Sequence, residues 1–207
     1  MRIVWGILVV LYSVVTMEQD GVKTRSDFLE PERIVAGFGL KKGDHVADFG
    51  AGHGYFTIPI ARAVGGDGRV YAVDIQQSAL DIVRARAQME HLLNVEYVRA
   101  DIDAPQGSRL KEKFLDFALI ANVLFQSENR LAAAQEAYRI LRSGGRLAVI
   151  EWEAAGKSPS DSYAIGPHAD LRVKKDDARS LCLQAGFEFD REFAAGSHHY
   201  GMLFVKR

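Results

Sequence analysis

Short apolar runs of strand length alternate along this chain with stretches in which apolar residues recur every three or four positions. The first run, His45 to Phe49, predicts strand one. It ends in a glycine-rich loop, and Pro59 predicts that the following helix starts near Tyr55 or Phe56, because a proline further inside would remove a helical hydrogen bond. Arg69 to Asp74 predicts strand two. A helix from Ser78 to about His91 follows, with Leu80, Val83 and Ala87 on one face. Asn94 to Arg99 reads as strand three and Phe114 to Ala121 as strand four, whose unbroken apolar character fits a strand covered on both faces. The next helix is expected to be capped by Ser127, to carry Leu131, Ala134, Tyr138 and Leu141 on one face, and to stop at Gly144-Gly145 before strand five, Arg146 to Trp152. Pro31 suits the first turn of an early helix through Arg33, Ile34 and Val35, and Lys174 to Ala185 the last helix. Phe187 to Phe193 and Tyr200 to Lys206, separated by Ala194 to Ser197, read as a closing hairpin.

This alternation implies an α/β domain, doubly wound around a mostly parallel sheet, with ligands taken up beyond the carboxyl ends of the strands. The residues at those ends carry the chemistry. After strand one comes Asp48-Phe49-Gly50-Ala51-Gly52-His53-Gly54, whose alternate glycines allow a sharp turn and bring backbone N–H groups close to a ligand. Asp74-Ile75 follows strand two, Asp101-Ile102 strand three and Asn122 strand four. An acid about 20 residues beyond the glycine loop can accept both ribose hydroxyls. Asp101 can accept from an adenine amine, while Ile75 and Ile102 can sandwich the purine. Each aspartate also has a plainer use as a helix cap or turn former, but three acids at consecutive strand ends favour a nucleoside site.

At 207 residues, 48% apolar and 26% charged, the chain can bury the core of one domain. A net charge of -1 gives no electrostatic basis for binding nucleic acid. The single cysteine, Cys182, excludes an internal disulfide, a cysteine-held cluster and a cysteine zinc site, and its apolar neighbours make it a core residue. No metal site is expected, since His168, His198 and His199 lack a carboxylate cluster. Residues 1–16 form an apolar N-terminal segment, with residues 17–207 as the domain. The run Ile3 to Val15 is shorter than the roughly 20 residues that span a bilayer. It reads as a signal-peptide core, a short membrane-associating helix, or the product of a start placed before the working one at Met17; the last is favoured. Membrane contact is then expected only through residues 3–15.

From about Asp27 to Lys206 the chain resembles the class I S-adenosylmethionine-dependent methyltransferases, in particular a small single-domain group related to quinone-biosynthesis enzymes. The acid-x-Gly-x-Gly-x-Gly motif is Asp48 to Gly54, the second acid Asp74 and the adenine-side acid Asp101. The resemblance implies a seven-stranded Rossmann-like sheet with an antiparallel C-terminal hairpin. It also implies S-adenosylmethionine as cofactor, with Gly50, Ala51 and Gly52 in the loop around its methionyl part and the backbone near Asn122 facing the methionyl amine. Asp74 would hold the ribose, and Asp101 with Ile102 the adenine. A nicotinamide dinucleotide is the rival, but its G-x-G-x-x-G fingerprint fails because Gly54 falls one position early and Tyr55 stands where its last glycine belongs. A cytosolic methyl donor makes the cytoplasm the expected compartment.

Methyl transfer from a sulfonium is an in-line displacement that depends on positioning, and Tyr55, Phe125 and Tyr200 are candidate aromatic neighbours of the sulfonium. His168, His198 and His199 are candidate catalytic bases if the acceptor loses a proton; alternation along the last strand lets only one of His198 and His199 face the site. His53 reads as a lining residue. Strand four ends Ala121-Asn122-Val123-Leu124, without the Asn-Pro-Pro-aromatic sequence of enzymes that methylate base amines, and one cysteine is too few for an arsenite-type enzyme. Only Ala154 to Leu171 leaves room for acceptor-binding additions. The acceptor is therefore expected to be a small molecule, methylated on oxygen or carbon. A non-catalytic S-adenosylmethionine-binding protein of the same fold is the alternative outside enzymology.

Overall fold

A computed structural model describes residues 29–154 and 166–207. The apolar segment 1–16, the start at Met17 and most of the Ala154 to Leu171 stretch lie outside the described residues. In chain order the elements are α1 (Pro31–Ala36), β1 (His45–Phe49), α2 (Thr57–Val64), β2 (Arg69–Asp74), α3 (Gln77–Met89), β3 (Val95–Arg99), β4 (Leu115–Ala121), α4 (Arg130–Ile140), β5 (Leu141–Trp152), α5 (Lys175–Gln184), β6 (Glu188–Ala194) and β7 (His199–Val205). The sheet runs β3-β2-β1-β4-β5-β7-β6. Strands β1 to β5 are mutually parallel, and β7 lies antiparallel between β5 and β6. The sheet is thus seven-stranded with an antiparallel C-terminal hairpin, as the sequence implied.

Alternation within the strands builds the two faces. Val46, Leu119 and Ile150 point to the face that Ile34, Ile58, Ile60, Leu80 and Val83 of α1, α2 and α3 cover. Their neighbours Ala47, Ile120 and Val149 point to the other, against Ala133, Ala137, Ala178 and Cys182 of α4 and α5. Burial pushes the Cys182 thiol up to about 12, leaving it a core residue. Chain order reverses between β1 and β4, which opens a crevice at their carboxyl ends.

Helix α4 departs from expectation at both ends. Its cap is Asn129, whose side chain accepts from the Ala132 N–H at 3.2 Å; the Ser127 hydroxyl instead donates to Asp103 Oδ1 at 2.7 Å. The helix ends at Ile140 rather than at Gly144-Gly145, because Leu141 turns extended and pairs with Leu115 of β4. The Lys206 ammonium closes that end, donating to the carbonyls of Tyr138 at 2.6 Å and Leu141 at 2.7 Å. A cation there also complements the helix dipole. No local pattern could reveal a cap supplied from the last strand's far end.

Candidate functional site

The glycine loop turns off β1 through three residues of positive φ: Gly50 (70°), Gly52 (51°) and Gly54 (77°). Gly50 and Ala51 both donate to the Val73 carbonyl, at 2.8 and 3.0 Å, and Gly54 to the Ala51 carbonyl at 2.8 Å. A Cβ on Gly50 would lie 2.3 Å from Cγ2 of Val123, so only glycine admits the β4 loop at this distance. Helix α2 begins at Thr57, one or two residues later than expected, because Tyr55 and Phe56 complete the turn.

Asp74 anchors this loop. Its Oδ2 accepts from the Gly52 N–H at 2.9 Å and its Oδ1 from the Gln76 N–H at 2.8 Å, tying the loop after β1 to the loop after β2. Each carboxylate oxygen retains a further lone pair for a ligand hydroxyl. Asp48 is buried and accepts from the Thr57 hydroxyl at 2.5 Å. Burial pushes its carboxyl up to about 7 against that hydrogen bond, with nearby Asp74 adding to the rise. A buried acid at the edge of ionisation is suited to meeting a cation.

These loops border a cavity of about 990 Å³, near the top of the range for small-molecule sites and large enough for two ligands side by side. Asp48, Gly50, Ala51, Gly52, Tyr55, Asp74, Ile75, Asp101, Ile102 and Asn122 all line it, as does His53. Ile75, 58% exposed, is an apolar side chain without protein cover, whereas Ile102 is packed into the core from below. Asp101 closes its own turn, accepting from the Asp103 N–H at 3.0 Å. Asn122 leaves β4 with φ 57° and donates its N–H to the Ile150 carbonyl at 2.9 Å; its buried Oδ1 has no partner. The orphaned buried oxygen of Asn122 and the Asp48 carboxyl, both in the cavity lining, are two acceptors available to a cationic ligand group.

At the opposite wall stand Trp152 and His199, facing each other across the β5–β7 pairing with ring centroids 4.0 Å apart. Both ring nitrogens of His199 are buried without a partner. Burial, with His198 and Arg172 adding, pushes its imidazole down to about 4, so the ring is neutral at physiological pH. Neither of the other two histidines lines the cavity: His198 sits in the bend just before β7, and His168 is exposed and bound to Asp170. Of the aromatic candidates only Tyr55, 64% exposed under the Arg86 guanidinium, reaches the cavity. Tyr200 points to the opposite face and donates to the Val173 carbonyl at 3.0 Å, and Phe125 packs against that same face's core.

Sequence reasoning missed Trp152, Gln126 and Asp103, which also line the cavity. Trp152 was within reach, since it ends strand five and the strand-end rule applies to it as to Asp74.

Comparison with known proteins gives a consistent answer. A family model described as a methyltransferase domain matches residues 46–145. The ubiquinone/menaquinone biosynthesis C-methyltransferase of Pseudoalteromonas translucida is 33% identical over 184 residues, covering 75% of this chain and 71% of that one. Its counterpart from Klebsiella pneumoniae is 33% identical over 145 residues, and there the match covers 67% of this chain and 57% of the relative. Among solved structures, a SAM-dependent methyltransferase from Aquifex aeolicus superposes with a TM-score of 0.77 at 23% identity, covering 90% of this chain and 94% of that one.

Proposed function

Because the chain belongs to the class I S-adenosylmethionine-dependent methyltransferases, we propose that its small-molecule acceptor is a flat ring bearing a hydroxyl, of the phenol or hydroquinone class, methylated at a ring carbon. The observation that carries this reading is His199: a neutral imidazole with two unpartnered nitrogens, set against the Trp152 ring in the wall of the cavity. The relatives are named as C-methyltransferases of ubiquinone/menaquinone biosynthesis, which supports the same class.

The residues at the other wall fit the donor. Asp48 and the orphaned Asn122 Oδ1 can take its ammonium, and Gly50 and Gly52 leave the space a side chain would fill beside its methionyl part. Asp74 can accept from the ribose hydroxyls, while Asp101, Ile102 and the uncovered Ile75 can hold the adenine. The donor supplies an electrophilic methyl on a sulfonium, which leaves as a thioether.

Everything else falls to placement. Trp152 offers a flat apolar surface for a ring, and His199 accepts a hydrogen bond from the ring hydroxyl. A histidine held near 4 is a poor store for a proton at neutral pH, so it orients the hydroxyl, and the proton displaced from the ring carbon passes to water at the open mouth. We place the reaction in the cytoplasm, where the donor is made; among the described residues no helix is long and apolar enough to cross a membrane.

A panel of a naphthohydroquinone, a catechol, an aliphatic thiol and an amine tests this reading. Methyl transfer to a ring carbon of the hydroquinone is expected. His199→Phe should lower kcat/KM about 100-fold and leave affinity for S-adenosylhomocysteine unchanged. Preference for the thiol or amine, or full activity in His199→Phe, refutes it.

A further inference from the structure

Glu151, the penultimate residue of β5, is fully buried and lines no part of the cavity, yet it controls one of its walls. Its Oε1 accepts from two successive backbone N–H groups in the loop after β4, Val123 at 2.7 Å and Leu124 at 2.6 Å. From the other side the Arg130 guanidinium donates to the Leu124 carbonyl at 2.7 Å. The loop is thereby clamped between the Glu151 carboxyl on its donors and the Arg130 guanidinium on its acceptor. The residue so fixed is Val123, whose Cγ2 sits where a Gly50 side chain would begin. Val123 and Asn122 also line the cavity on the side of Asp48 and Gly50. The second carboxylate oxygen of Glu151 is buried without a partner. A fold that needed only filled space at this point would use an apolar side chain, since burying a half-satisfied carboxyl is costly.

We propose that Glu151 is a positioning residue for the methionyl half of the donor, acting through Val123 and never touching the ligand. The proposal rests on the donor placement given above. It separates the two halves of the donor: adenosine, lacking the methionyl group, should be indifferent to Glu151, whereas S-adenosylhomocysteine should depend on it.

The test is calorimetric titration of the full chain and its variants with both ligands. Glu151→Ala removes the acceptor, frees the loop and is expected to weaken S-adenosylhomocysteine at least about tenfold while adenosine changes less than about twofold. Glu151→Gln keeps an oxygen that can accept both N–H groups, and should restore affinity to within about threefold of the parent. If Glu151→Ala does not fold, Val123→Ala reads the same link from its far end, with the same selective loss expected. Equal weakening of both ligands, no weakening of either, or a Gln variant as impaired as the Ala variant overturns the proposal. A parent protein that binds adenosine but not S-adenosylhomocysteine refutes the donor placement itself, which is a separate outcome.

Discussion

Removing the Asp74 carboxylate separates what this residue does for the fold from what it does for the ligand. In the protein alone it accepts from the Gly52 N–H at 2.9 Å and the Gln76 N–H at 2.8 Å. The first of these bonds is partly buried and the second exposed, so in Asp74→Ala water can replace the lost acceptor. The cost to stability is then about 1 kcal/mol, a fall of about 2–4 °C in thermal midpoint. The cost to binding is larger. Hydrogen bonds to a charged group contribute about 1.5–3 kcal/mol each, so losing a pair to the ribose removes about 3 kcal/mol or more, roughly 100-fold in Kd. Asp74→Asn should recover little, because its amide nitrogen would face one of the two N–H donors. Titration with S-adenosylhomocysteine and 2′-deoxyadenosine beside a thermal melt reads both quantities. The deoxy ligand should be penalised against adenosine in the parent but not in Asp74→Ala. A Kd within about threefold of the parent, or a melt lowered by more than about 10 °C, refutes the reasoning.

Two further outcomes follow from the same loops. Gly50→Ala combines a positive φ with a contact at 2.3 Å to Val123, costing about 2–5 kcal/mol. Gly52→Ala, whose Cβ would meet nothing nearer than the Gly50 carbonyl at 3.8 Å, carries only the backbone cost of about 1–2 kcal/mol. Equal melts for the two variants would contradict this. The Asp48 pKa lies above its ordinary 3.8, at about 7, so the folded state binds more protons than the unfolded one between these values. Stability of the ligand-free protein should therefore fall as pH rises across that window, and Asp48→Asn should flatten the fall. A stability that rises over the same range in the parent, or an unchanged slope in Asp48→Asn, would show that Asp48 ionises freely in the fold.

The strands, and which residues at their ends line the cavity, were legible because strand ends and glycine spacing are local features. His45 to Phe49 and Arg69 to Asp74 needed no correction. The end of α4 was not legible, since the Lys206 ammonium that closes it comes from more than sixty residues away. For the same reason three histidines could be nominated but not ranked. Chain separation says nothing of which imidazole meets Trp152, and only the β5–β7 register brings His199 there. Asp103 and Glu151 were missed because both act on backbone groups of a distant loop, a role that side-chain type does not signal.

Strand β7 follows β6 in the chain but sits inside it in the sheet, directly against β5. During synthesis the outer edge of β5 therefore stands bare while α5 and β6 emerge, and β6 has no place to attach until β7 arrives. The cavity-lining residues at the ends of β1 to β4, Asp48, Asp74, Asp101 and Asn122, are translated well before His199. A nascent chain thus has one side of the cavity before it has His199 for the other, and the step that finishes the sheet is the same one that completes the cavity's lining.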